Sequence, residues 1–279
     1  MLSSRGARTL VAASHPLPSA AVTAFAVAVS AAAGRSAGGL LLTGLAVLTG
    51  QLSIGWSNDL LDRSRDVAAG RSDKPLATGA AEPRTVRRAT WVAVLACVPL
   101  SLANGMLAGT VHLVAVSGGW AYNLGLKRTW ASPVPYAVSF ALLTCFVTLG
   151  LDGSPWPPPW AVGAGALLGV GAHFLNVVPD VADDLADGVR GLPQRIGARA
   201  SAVTGAVLMA AAAVLVVAGP DGPVPGWAWV GLGAALATAT GAAVAGSRPR
   251  ARASAPFLLA VATAGVTVLL VIGRGAELT

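Results

Sequence analysis

The chain has 279 residues, 54% of them apolar and only 11% charged, with a net charge of +7 and a mean hydropathy of +0.68. Soluble domains carry about a quarter of their residues as Asp, Glu, Lys or Arg, so this balance excludes one and describes a multi-pass membrane protein whose main partner is the lipid bilayer. The surplus Lys and Arg lie in short clusters between apolar runs and form no continuous basic tract, which argues against nucleic acid as a partner.

Residues 1–33 imitate a secretory leader, with Arg5 and Arg8 ahead of an apolar run from Ala20 and a small-residue end at Ser30–Ala33. The run is long for a leader, and the topology below works better with it retained. Since about twenty helical residues cross the hydrocarbon layer, the chain divides into nine apolar segments at 16–34, 38–57, 88–107, 109–124, 134–151, 160–179, 200–219, 226–245 and 254–272. The expected fold is all-α: nine transmembrane helices in one bundle enclosing a central cavity. No second domain is expected within 1–279. Cys97 and Cys145 fall inside apolar runs without disulfide or zinc spacing and read as small buried hydrophobes.

With the N-terminus placed in the cytoplasm, alternation puts seventeen of the nineteen basic residues on that side. Only Arg35 and Arg274 fall opposite, as the positive-inside bias requires. Asp152, Asp221 and Trp156, Trp160, Trp227 and Trp229 fall at the other face, where interfacial aromatics belong. The segments 58–87 and 180–199 become cytoplasmic loops long enough to cap the bundle, and the Gly and Ala within 163–171 and 231–241 permit close helix approach.

The second segment ends in Asn-Asp-Leu-Leu-Asp-Arg-Ser-Arg-Asp at 58–66. Asp59, Asp62 and Asp66 are three and then four residues apart, so one helical face carries all three carboxylates. The spacing returns at Asp180, Asp183 and Asp187, after the sixth segment and therefore on the same cytoplasmic side. An acidic cluster beside a basic loop is ordinarily a solvated helix end, but repetition on one face favours a shared ligand. Asp180 alone reads also as a helix-flanking residue after Pro179. Carboxylates gathered without His or Cys favour a hard cation, most plausibly magnesium shared with phosphate oxygens. Arg71, Lys74, Lys127 and Arg128 stand near enough in sequence to take remaining phosphate charge, though each also serves as a positive-inside anchor. A diphosphate at the mouth of an apolar bundle implies an isoprenoid tail within it, and Trp56, Tyr122 or Phe174 could stabilise a cation there. His173 and Asn176 share the face of Asp180, lining the cavity or bonding to neighbouring helices, while His15 and His112 read as structural.

These motifs resemble those of the UbiA superfamily of intramembrane prenyltransferases. Asn58, Asp59, Asp62 and Asp66 match its first motif in full; Asp183 and Asp187 match its second, with Asp180 one turn earlier. Gly191–Gly197 resembles the Leu-Pro and Gly after the second motif, and Tyr122 to Lys127 its Tyr-x-x-x-x-Lys element. The chain departs at Lys74-Pro75, where many relatives have Arg-Pro, and Asp183-Asp184 offers two residues for one motif position.

The resemblance implies Mg2+-dependent transfer of a prenyl group from a polyprenyl diphosphate to a small hydrophobic, aromatic acceptor in quinone or related lipid synthesis. Asp62 and Asp183 would carry the catalysis. Asp59, Asp62, Asp66, Asp180, Asp183 and Asp187 would bind metal, and Asn58, Arg71, Lys74, Tyr122 and Lys127 would bind substrate. The site would open to the cytoplasmic side of the cell membrane. Competing readings are a non-aromatic acceptor such as a glycerol or sugar phosphate, for which Arg190 and Arg195 leave room, and a non-catalytic lipid or cation carrier.

Overall fold

The computed structural model describes residues 4–248, 255–274 and 278. Arg250, Arg252 and residue 254, the start of the ninth expected segment, lie outside them, as does the side chain of Arg5. The described residues form helices joined by short turns: α1 (Ser4–Ala12), α2 (Pro16–Ala32), α3 (Ala37–Ala68), α4 (Pro83–Leu102), α5 (Met106–Leu124), α6 (Val134–Leu149), α7 (Pro159–Val177), α8 (Val181–Ala186), α9 (Leu192–Ile196), α10 (Ala198–Ala218), α11 (Gly226–Gly246) and α12 (Ala255–Gly273). Single 3₁₀ turns occupy Leu126–Arg128 and Val178–Asp180.

The boundaries follow local chemistry. Prolines sit in the first turns of α2, α4, α6 and α7, where a missing N–H costs nothing. Ser36 caps α3 by accepting from Gly39 N at 3.3 Å. At its other end the left-handed Gly70 (φ 65°) releases the chain.

The nine expected segments fall on α2, α3, α4, α5, α6, α7, α10, α11 and α12. Six runs are individually long and apolar enough to cross a membrane: Ala37–Ala68, Pro83–Leu102, Pro159–Ala186, Ala198–Ala218, Gly226–Gly246 and Ala255–Gly273. The pair Gly6–Ala12 and Pro16–Ala32, bent by 71°, makes a seventh if counted as one span. Helix α6 is short at 16 residues, and α5 is diluted by His112, Trp120, Tyr122 and Asn123. The protein is thus a multi-pass membrane protein, and its exposed large apolar side chains, including Leu95, Met106, Val230 and Leu269, lie where lipid tails can cover them.

Sequential helices pack side by side, and α12 returns against α2 and α7 to close the ring. Contact between α7 and α10 is backbone-close. A methyl group on Gly171 would lie 2.5 Å from Met209 Cγ and 2.8 Å from the Gly205 carbonyl oxygen, and one on Gly205 would lie 2.9 Å from the Gly171 oxygen. Arg35 donates to Asn104 Oδ1 at 2.7 Å and packs on Gly150, tying together three turns at one end of the bundle. Trp156, Trp227 and Trp229 are exposed on the α6–α7 connection and at the start of α11. The candidate site occupies the opposite end.

Candidate active site

Helix α3 runs 32 residues, well past the length of one crossing, so its last three turns carry the first acidic motif beyond the apolar part. Asp59, Asp62 and Asp66 all turn inward and are buried at 1%, 5% and 4% exposure. Buried carboxylates require compensation, and Asp59 and Asp62 find different partners. Lys74 Nζ donates to Asp59 Oδ1 at 2.7 Å. Lys127 Nζ, itself buried, reaches both oxygens of Asp62 at 2.6 Å, and Arg65 approaches Asp62 Oδ2 at 3.2 Å. The 3₁₀ turn after α5 aims Lys127 at α3. Burial pushes its ammonium below the ordinary range, and the Asp62 charge opposes that shift. Asp66 has no ion pair among the described residues; it lines a cleft of about 240 Å³.

The second motif forms the other wall of that cleft. Helix α7 stops at Pro179, whose ring cannot continue the α-helical bonds, and a 3₁₀ turn hands the chain to the six-residue α8. Asp183, Asp184 and Asp187 face Arg65, Asp66 and Arg71 across the cleft. Arg65 spans both motifs, with Asp184 at 3.8 Å and Asp187 at 3.9 Å in addition to Asp62. Arg71 spans them a second time, at 3.6 Å from Asp180. Two acidic motifs more than a hundred residues apart therefore meet at one end of the bundle, held together by two arginines.

Between Asp183 and Asp184 the surroundings differ. Asp184 is half-buried and accepts from Gln194 Nε2 at 2.8 Å, whereas Asp183 is exposed and has no ion pair among the described residues. Arg71 also makes a fork-to-fork pair with Asp73, both contacts 2.9 Å. That guanidinium holds the Asp73 carboxyl down at about 2, and Arg71 itself is raised above its usual range.

Asn58 donates to Asn123 Oδ1 at 3.1 Å, and Asn123 in turn donates to the Ile54 carbonyl and Ser57 Oγ, both at 2.9 Å. The motif asparagine thus clamps α3 to α5. Tyr122, on α5, lies within electrostatic reach of Asp62 and Asp184. It meets Tyr136 edge-on at 5.2 Å and His173 at 5.5 Å, while Tyr136 stacks on His173 at 4.5 Å and Phe174 lies 5.8 Å from His173. These rings form an aromatic layer beneath the carboxylates. Trp56 is placed elsewhere, turned onto α1 with its Nε1 donating to Leu10 O at 2.9 Å.

Among the described residues, no three His, Cys, Asp or Glu side chains already stand as ligands of one ion; each buried carboxylate except Asp66 is turned to a basic partner. The donor set nevertheless fits a hard cation. It is all carboxylate oxygen, Asp66 and Asp183 have no ion pair among the described residues, and Arg65 and Arg71 supply anion-binding forks in the same cleft.

A protein-family model described as the UbiA prenyltransferase family matches residues 19–271. The chain belongs to that family. A curated relative, the bacteriochlorophyll synthase 33 kDa chain of Cereibacter sphaeroides, is 31% identical over 192 residues, covering 64% of this chain and 62% of that protein. The chain thus spans under two thirds of that relative's length. Among solved structures, a UbiA homolog from Archaeoglobus fulgidus bound to DMAPP and Mg2+ superposes with a TM-score of 0.73 at 17% identity, over 97% of this chain and 98% of that one. A digeranylgeranylglyceryl phosphate synthase structure gives 0.65 at 16% identity, over 98% and 99%. These likenesses confirm the UbiA fold read from the motifs.

Several site residues escaped the sequence reading. Arg65 was counted only as a topological charge, although its place three residues after Asp62 already put it on the acidic face. Gln194 sits in the Leu-Pro-Gln stretch whose resemblance was noted without a role. His15 was read as structural; the structure places its Nε2 at 3.0 Å from Asp59 Oδ1. No local signal connects residue 15 to residue 59. His112 does pack structurally, stacked on Phe146 and bonded to Ser101.

Proposed function

We propose that the protein transfers a prenyl group from a polyprenyl diphosphate to a hydrophobic acceptor, with Mg2+ as cofactor. The observation that carries this reading is the meeting of both acidic motifs around one cleft bridged by Arg65 and Arg71. The Archaeoglobus fulgidus homolog's binding of DMAPP and Mg2+ supports it.

Asp59, Asp62, Asp66, Asp180, Asp183 and Asp187 are the proposed metal ligands. Bound there, Mg2+ would offset the negative charge that grows on the departing diphosphate. Arg71, Lys74 and Lys127 take the phosphate charge that remains, each releasing a carboxylate as it turns to the substrate. The prenyl tail enters a central cavity at the aromatic layer, where the faces of Tyr122, Tyr136 and Phe174 stabilise the allylic cation by about 1–2 kcal/mol. Water kept out of that layer cannot quench the cation.

The proposed acceptor carries an aromatic ring; similarity to a bacteriochlorophyll synthase chain widens the choice from quinone precursors to bacteriochlorophyll-type rings. Residues 1–279 act as one unit, crossing the membrane nine times with the N-terminus and cleft cytoplasmic. Purified protein in nanodiscs, given labelled prenyl diphosphates of several lengths and a panel of ring acceptors with and without chelator, tests the reading. Mg2+-dependent diphosphate release matched by product is expected, and it falls at least a hundredfold in Asp62→Asn and Asp183→Asn. Unchanged turnover in either variant, or release without product, would count against it.

A further inference from the structure

His15 is one of two non-glycine residues with positive φ among those described, at φ 53° and ψ 65°. A bulky side chain adopts that region at a cost, so the surrounding structure must hold it there. Three contacts do. Trp56 Nε1 donates to the carbonyl of Leu10, Ser19 Oγ donates to the carbonyl of Ser14, and the Ser14 carbonyl lies against the Cα of Gly55, where any side chain would collide. The 71° bend between α1 and α2 is the result. It directs the imidazole of His15 onto the first aspartate of the first motif.

The geometry at Asp59 is one-sided. His15 Nε2 lies 3.0 Å from Oδ1, Lys74 Nζ donates to the same Oδ1 at 2.7 Å, and the two nitrogens are 3.2 Å apart. Oδ2 receives neither, so both contacts anchor the carboxylate through a single oxygen. Lys74 sits on a loop, whereas His15 is fixed by the bend itself.

We propose that His15 is a positioning residue of the metal site: by bonding Asp59 Oδ1 it orients Oδ2 toward the divalent cation. This inference rests on the prenyl-transfer reading for its function but concerns the site's own side chains. An imidazole behind a metal-binding carboxylate acts as the outer-shell partners of other metal sites do, where removal costs roughly 10–100-fold in metal affinity.

The test separates side chain from backbone. His15→Gly removes the imidazole and suits the left-handed backbone, so a role confined to the bend predicts no loss. His15→Gln places an amide nitrogen near the position of Nε2. Each variant and the wild type are purified whole in detergent, and MgCl2 alone is titrated while the melting temperature is followed; transfer is assayed separately. The Gly variant is expected to melt within a few degrees of wild type without Mg2+ and to need roughly tenfold more Mg2+ for half its shift, with Gln recovering most of that loss. A Gly variant with the wild-type Mg2+ midpoint, or a Gln variant as impaired as Gly, overturns the proposal. A wild type that responds to Mg2+ in melting but transfers no prenyl group sinks the proposed function instead, leaving the His15 comparison readable from the melting curves.

Discussion

The pair Lys127 and Asp62 shows what a buried charge does at the scale of one residue. Both side chains are 7% exposed, so removing Lys127 leaves Asp62 in a low-dielectric site with Arg65, 3.2 Å from Oδ2, as its one remaining basic partner among the described residues. Lys127→Met is expected to cost about 3 kcal/mol of stability. Lys127→Met combined with Asp62→Leu should regain most of it without activity; chemical unfolding of both variants in detergent measures this, and a double variant no more stable than the single one would contradict the ion-pair account. Asp73 gives a smaller, pH-dependent effect. Its folded value is depressed to about 2 by Arg71, from 3.8, so its contribution is present above pH 4 and lost as pH falls through 2. Because Asp73 is 61% exposed, screening holds that contribution below about 1 kcal/mol. Asp73→Asn should melt slightly below wild type at pH 6, with the gap closing by pH 2.

At the scale of elements, the acidic motifs were legible because a 3.6-residue period makes spacing equivalent to facing, and in the structure Asp66 of the first lines one cleft with Asp183 and Asp187 of the second. Their partners were less legible. Arg65 lies on the same helix and was within reach of that logic, but Lys127, Gln194 and His15 approach from other elements, and only tertiary packing decides which loop meets which helix. Asn58 was assigned to substrate from its motif, while its amide in the structure clamps α3 to α5. Gly163–Gly171 was read as a close-packing surface, and Gly171 against Gly205 is where the contact is tightest. Gly171→Val would push into the Gly205 carbonyl and Met209, so a loss of roughly 1–3 kcal/mol is expected. Gly233→Val, in a position with no neighbouring atom within 4 Å, is the control. Equal melting of the two variants would refute close packing as the reason for glycine there.

Considered as a whole molecule, the chain arranges charge by end. Lys74, Lys127, Arg65 and Arg71 gather with the acidic motifs, and Trp156, Trp227 and Trp229 stand exposed at the other end. Segment positions were readable from hydropathy alone, yet α2, α5 and α6 do not individually qualify as spans: α2 and α6 are short, and polar side chains dilute α5. Both native cysteines are buried, which permits a labelling test. Arg84→Cys and Trp156→Cys should react with a membrane-impermeant maleimide from opposite sides, Arg84→Cys only after the cytoplasmic face is opened. Labelling of both from one side would reverse or break the proposed topology.

The two walls of the cleft are unequal in build. One is the end of a 32-residue rod anchored along the bundle; the other is a six-residue coil set off by a proline. Unravelling the second sacrifices a handful of backbone bonds and little packing, so amide protons at 181–187 should exchange with deuterium well before those at 56–62. Whatever tightens the cleft therefore does so by stiffening its lighter wall.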